Sequence, residues 1–264
     1  MNKAIWDRNR FLKTLFACIV TASFLLWAIY QVLLQAQLGL PVECFFMAQV
    51  CVVLLVAPYL AAYAIHTSFL GTCPDSPFAS SATSLFRLSP MSSGWYLLRT
   101  LLISQVPLLC WVFLSTAIAF FFTNTPFTKI FQMFTVLGIY SVSAAAVGAW
   151  GARLFKDELF GVECAYLLWC VLIGGAFLLV PVDRHIGNIQ PIVPLVLHLN
   201  PLTAVCYIFE MDPFHTPLIY DLTPVPSYLY AYVPWYIVGF WQLLIGGCCF
   251  LSAWWISGAY RRVL

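Results

Sequence analysis

Six stretches of this chain run for more than twenty residues with almost no ionisable side chain, at roughly 14–36, 44–68, 100–122, 129–151, 162–182 and 232–257. A hydrocarbon layer about 30 Å thick takes about 20 apolar residues per crossing helix. Within such a layer the backbone must satisfy its own N–H and C=O groups, so each stretch is expected to be helical. Composition agrees, because 8% of the 264 residues are charged, against about 25% in ordinary globular chains. With 62% hydrophobic residues and a mean hydropathy of +0.92, the apolar surface exceeds what one soluble core of this size can hide. The expected fold class is an all-α polytopic membrane protein with six transmembrane helices, forming a single transmembrane domain over 1–264.

The first stretch follows a basic start, Lys3, Arg8, Arg10 and Lys13, and so imitates a signal peptide. It is longer than a signal h-region and lacks a small-x-small cleavage site, and reads as an uncleaved anchor. Lys and Arg concentrate in loops that stay cytoplasmic. With the N-terminus inside, Lys3, Arg8, Arg10, Lys13, Arg87, Arg99, Arg153, Lys156, Arg261 and Arg262 fall on the cytoplasmic side, and only Lys129 and Arg184 fall outside. Six spans with this bias place both termini in the cytoplasm.

Two connections are too long to be simple turns. The cytoplasmic stretch from about Ser68 to Arg99 is first rich in Ser, Pro and Gly, then offers the amphipathic run Ser84-Leu85-Phe86-Arg87-Leu88 before Ser89-Pro90. It is expected to form a short helix lying against something. The external stretch from about Asp183 to Val233 has an apolar middle, Ile189 to Phe209, broken by Pro191, Pro194 and Pro201 and carrying His198 and Asn200. Interrupted or re-entrant helices fit it better than a full span, since a seventh span would put Arg261 and Arg262 outside. The remainder, 211–233, with four prolines and Tyr220, Tyr228, Tyr230 and Tyr232, reads as an irregular external cap with an interfacial aromatic belt.

Several classes of chemistry lack their residues. The scattered Lys and Arg form no phosphate-tracking stripe, so nucleic acid is not an expected partner. No G-x-x-x-x-G-K-[ST] loop occurs, and any ATP drive must come from another polypeptide. There is no H-E-x-x-H and no G-x-S-x-G with a plausible triad. Ionisable catalytic groups are nearly absent from the spans, which counts against an intramembrane enzyme; His198 and Asn200 are its only candidates. His66, His185, His198 and His215 match no compact ligand spacing, and no metal site is expected. Glu210 and Asp212, with His215, could form an acidic external patch, read first as a solvated loop. Most of the ten cysteines sit in apolar runs as small hydrophobes. A Cys44–Cys206 bridge is open, with free thiols the default. Arg153, Lys156, Asp157, Glu158 and Glu163 mix signs in a short cytoplasmic turn, read as solvated or as a second partner contact. Gly174-Gly175 and Gly246-Gly247 permit close helix approach.

The run Ser84-Leu85-Phe86-Arg87-Leu88-Ser89-Pro90-Met91, followed by Gly94-Trp95-Tyr96-Leu97-Leu98-Arg99 into the third span, is similar to the leucine-rich "L-x-x-S/T-P-hydrophobic" segment of type-2 ABC exporter permeases. His198-Leu199-Asn200-Pro201-Leu202 resembles that family's Asn-Pro element before the last span. The motifs occur in the family's order, and the resemblance covers most of the chain. It departs after the second span, where His66-Thr67-Ser68 and a Pro-rich stretch stand in place of an acidic pair many members carry.

The resemblance implies the permease subunit of an ATP-driven exporter, with no nucleotide site or cofactor of its own. ATP and Mg would be held by a separate ABC ATPase subunit, and a second permease chain would complete a homo- or heterodimer around the substrate pathway. The residues Leu85, Phe86, Arg87, Leu88, Ser89 and Pro90 would be the coupling helix on the ATPase. Trp6–Phe11 would be an N-terminal interfacial helix, a role its alternating apolar and basic residues also allow. With few charges in the spans, a lipid-linked or amphipathic cargo is favoured over an inorganic ion. A bacterial inner membrane fits an all-helical chain without an organelle signal. The competing reading is a non-transporting membrane scaffold or assembly factor, told apart by whether the Leu85–Pro90 loop binds an ATPase.

Overall fold

The computed structural model describes residues 42–70, 93–123, 125–155, 158–186, 188–215, 217–220 and 222–263. The first expected span, the Trp6–Phe11 segment and the Leu85–Pro90 segment lie outside the described residues. Five long helices are present: α1 (Val42–Leu70), α2 (Ser93–Phe122), α3 (Phe127–Phe155), α4 (Glu158–Ile186) and, after an interruption, α8 (Trp235–Val263). Between α4 and α8 lie α5 (Ile192–Leu199), α6 (Thr203–Phe209) and the four-residue α7 (Pro217–Tyr220), with single 3-10 turns at Pro213–His215 and Val225–Ser227. No strand occurs among the described residues.

All five long helices are long and apolar enough to cross a membrane, and α5 with α6 would make a sixth such unit if counted together. Each runs 29 or 30 residues, or about 43–45 Å at 1.5 Å per residue. That exceeds a hydrocarbon thickness of about 30 Å, so their ends reach into the headgroup region or the helices tilt. The apolar stretches in the sequence are shorter than the helices because hydropathy marks only the part that needs lipid.

Helix α3 is the hub, packing against α1, α2, α4 and α8 and also touching α6. Its sequence explains this: Ser141, Ser143, Ala144, Ala145, Ala146, Gly148 and Ala149 form a nearly unbroken run of small residues that lets four helices approach its backbone. A side chain at Gly148 would collide with the Pro58 carbonyl of α1, and one at Gly246 of α8 would come within 2.7 Å of Ser143 Cα. Around these contacts Phe46, Val50, Leu54, Leu101, Met133, Leu137 and Trp169 fill a single core. Of the paired glycines, Gly246 faces α3 and Gly175 meets Val196, whereas Gly174 and Gly247 face open space.

Two glutamines in the apolar helices turn inward and bond to neighbouring helices. Gln105, fully buried, donates to Ala57 O at 3.2 Å and accepts from Ser141 Oγ at 3.1 Å, tying α2 to α1 and α3. One level away, Gln49 Nε2 donates to Ser115 Oγ at 2.6 Å. In a medium without water these bonds specify which faces meet, because a buried amide left unpaired costs about 1–3 kcal/mol.

Candidate functional site

The feature that departs from a plain bundle is the pair α5 and α6, bent by 87° across Asn200-Pro201-Leu202. Pro201 has no N–H and disfavours helical geometry at the residue before it. Asn200 accordingly leaves the helix for an extended conformation, with φ −74° and ψ 117°. Its side chain then does what the missing turn would have done. Asn200 Oδ1 accepts from the Leu202 N–H at 2.9 Å, and Asn200 Nδ2 donates to Ile173 O of α4 at 3.1 Å. Thr203 Oγ1 lies 2.8 Å from Leu197 O and 2.7 Å from Asn200 O.

Two long helices supply the rest of the clamp. Tyr140 of α3 donates its hydroxyl to Pro201 O at 2.8 Å, and Gln242 of α8 donates Nε2 to Leu199 O at 2.9 Å. The chain break is therefore held by α3, α4 and α8 together. Gln242 Oε1 is buried and accepts no hydrogen bond among the described residues.

These partners also locate the break along the bundle. Ile173 lies 13 residues before the end of α4, Tyr140 lies 13 residues after the start of α3, and Gln242 lies 7 residues after the start of α8. At 1.5 Å per residue these are about 20, 20 and 10 Å from the helix ends nearest the cap. Both ends of the bent pair sit back toward that cap. Before α5, Ile189 packs with Val193, Leu197, Ala176, Leu179 and Val225 in a second apolar cluster. At the end of α6, Phe209 stacks on Phe46 near the start of α1 at 4.9 Å, beneath Lys129 Nζ, which lies 5.9 Å from its ring centre. Lys129 also pairs with Glu210 at 3.1 Å.

The cap itself is organised by one carboxylate. Asp212 accepts from Tyr232 Oη at 2.6 Å, from Tyr230 Oη at 2.8 and 2.9 Å, from the His215 ring at 2.6 Å and from the Phe214 N–H at 3.2 Å. Burial alone would push the Asp212 carboxyl up, but the bonds from Tyr232, Tyr230 and His215 outweigh it and hold the group below the ordinary carboxylate range. The two phenols are pushed up, by burial first and by bonding to Asp212 second. Phe214 packs among the same rings, T-shaped to Tyr230 at 5.9 Å and stacked with Tyr232 at 6.4 Å. A second tie joins Tyr228 to Asp183 at the end of α4.

The sequence-marked residues thus separate. Glu210 and Asp212 make no joint acidic patch, since one pairs with Lys129 and the other with His215 and the tyrosines. His185 Nδ1 meets Pro181 O at 2.7 Å. Among the described residues no three His, Cys, Asp or Glu side chains come together in a metal-holding group. Cys44 and Cys206 are free thiols. His198 and Asn200 are two residues apart on the broken pair, yet Asn200 is committed to the break while the half-exposed His198 bonds to nothing among the described residues. The coupling segment Leu85–Pro90 lies outside the described residues. Tyr140 and Gln242 were not marked by the sequence, although an amide inside an apolar stretch is the kind of signal that would find Gln242. No protein-family model, curated protein or solved structure matches the chain.

Proposed function

We propose that this chain is the membrane-spanning subunit of an ATP-driven exporter of the type-2 ABC kind, two permease chains enclosing the substrate pathway above two separate ATPase subunits. The observation that carries this reading is the bent pair α5–α6, lying between the last two long helices, where the prolines point to interrupted or re-entrant helices and His198–Leu202 resembles the family's Asn-Pro element. The pair enters and leaves at the end of the bundle that bears the cap, and its break is fastened about 10–20 Å along the neighbouring helices, which suits a re-entrant hairpin rather than a sixth crossing. With the 14–36 stretch as an additional span, the count is six, and the cap faces outward.

In this reading the termini are cytoplasmic, the membrane is a bacterial inner membrane, and Trp6–Phe11 lies along its inner surface. Leu85, Phe86, Arg87, Leu88, Ser89 and Pro90 form the coupling helix between the second and third spans. ATP and Mg bind on the partner ATPase, whose closure pushes the coupling helices and rocks the spans between inward-open and outward-open states. This chain transmits work and catalyses no reaction. A pathway walled by apolar and aromatic side chains suits a lipid-linked or amphipathic cargo.

The coupling assignment is tested by replacing Arg87 and Leu88 with Asp in cells that co-express the partner ATPase. Reversing the charge and removing the apolar anchor is expected to leave insertion of the permease intact and to lower the membrane-sedimenting fraction of the ATPase by about tenfold or more. Unchanged sedimentation would reject Leu85–Pro90 as the docking element.

A further inference from the structure

The face of α5 turned away from the bundle carries an ionisable group, His198, in its last turn. At about 100° per residue, Val193, Leu197 and Asn200 share one narrow arc, and Pro191, Pro194, Leu195 and His198 share the opposite one. Burial follows that division. Val193 and Leu197 are fully buried and Asn200 nearly so, whereas Pro191, Pro194 and Leu195 are exposed and His198 is half-exposed. His198 lies one residue before Leu199, whose carbonyl is fixed by Gln242 about 10 Å along α8. It therefore sits at a depth where an outward-facing side chain meets either acyl chains or a water-filled space.

Neighbouring polar groups show what the fold does with such residues at this depth. Asn200, Tyr140 and Gln242 are all turned inward and each makes at least one hydrogen bond, although Gln242 Oε1 accepts none among the described residues. His198 makes no hydrogen bond and no ion pair among the described residues. An imidazole facing hydrocarbon would lose its hydration with nothing in return, and ionisable groups at membrane depth characteristically face a bundle interior or a wet cavity.

We propose that the open face of α5 lines a water-accessible pathway, and that His198 is its hydrogen-bonding contact for a polar oxygen carried by an otherwise apolar molecule. The imidazole can donate to a phosphate or accept from a hydroxyl, while Pro191, Pro194 and Leu195 beside it offer only apolar contact. The cargo half of this proposal rests on the exporter reading, and the exposure half does not.

The test is His198→Cys in a variant with the native cysteines replaced, treated in right-side-out vesicles with a membrane-impermeant methanethiosulfonate. Leu229→Cys, on the cap at 88% exposure, is the wet control, and Val171→Cys and Leu178→Cys, 46% and 53% exposed on α4 and further from its cap end, are the controls at membrane depth. Modification of His198→Cys within about tenfold of Leu229→Cys and at least about a hundredfold faster than Val171→Cys is expected. A rate equal to that of Val171→Cys would overturn the proposal. Should the cysteine-free variant fail to insert, His198→Lys in the native background gives the same decision. Retained insertion and a melting temperature within about 2 °C supports a wet face, and failure to insert comparable to Leu178→Lys refutes it. Labelling of His198→Cys in a protein that retains no ATPase would leave the pathway standing and remove the exporter reading. An ATPase partner with an unlabelled His198→Cys would do the reverse. Where both hold, His198→Ala should lower transport about tenfold with ATPase binding unchanged, and His198→Gln should restore most of it; unaltered transport in His198→Ala would reject the cargo contact.

Discussion

Pro201 O and Leu199 O are held by the side chains of Tyr140 and Gln242, and the Asn200 amide is held by the main-chain carbonyl of Ile173, so the break can be loosened one bond at a time. Tyr140→Phe removes only a hydroxyl and leaves the Pro201 carbonyl without that donor, which should cost about 1–2 kcal/mol. Thermal unfolding in detergent should show a melting temperature lowered by a few degrees, and an unchanged value would mean that the bond carries no stability. Backbone contact makes the sharper case. Gly148→Val drives a branched side chain into the Pro58 carbonyl and should destabilise by about 1–3 kcal/mol or prevent assembly, whereas Gly247→Ala, with open space beyond it, should be silent. Equal effects of the two would show that the α1–α3 approach is not close. The paired glycines were visible in the sequence, but only one of each pair meets another helix. Gly148 is not legible in this way, because a lone glycine in an alanine-rich run carries no signal until the helix that crosses it is known.

Among elements, the stretch from Ile189 to Phe209 was legible as interrupted helices from its prolines, since Pro201 both withholds an N–H and constrains Asn200. What the sequence could not supply was the depth of the interruption, which depends on Tyr140, Ile173 and Gln242 from elements tens of residues away. The cap was legible as irregular and tyrosine-rich, but the role of Asp212 was not, because its donors Tyr230 and Tyr232 lie 18 and 20 residues further along the chain. That carboxylate sets the pH behaviour of the cap. A group whose pKa is depressed on folding contributes stability above its unfolded pKa and loses it as pH falls through the folded value. The Asp212 contribution should therefore be fully present well above the ordinary carboxylate value of 3.8 and be lost only as pH falls below it. Hydrogen exchange of amides 212–232 against pH measures this, with Asp212→Asn expected to exchange faster at neutral pH and to lose the acid transition. Loosening between pH 5 and 7 would mean that another group controls the cap.

On the scale of the whole molecule, the five long helices among the described residues coincide with five of the six apolar runs, and their arrangement follows from the small residues of α3. Function is further from the residues. It hangs on the Leu85–Pro90 run and on the position of the bent pair, and it is decided by what the bundle binds on its basic side. Extraction from the native membrane in mild detergent, followed by capture of this chain and identification of what accompanies it, addresses that directly. The exporter reading predicts a soluble ATPase at one copy per permease chain, lost when Arg87 and Leu88 are replaced by Asp. Absence of any ATPase under several gentle extraction conditions would contradict it and favour a membrane scaffold.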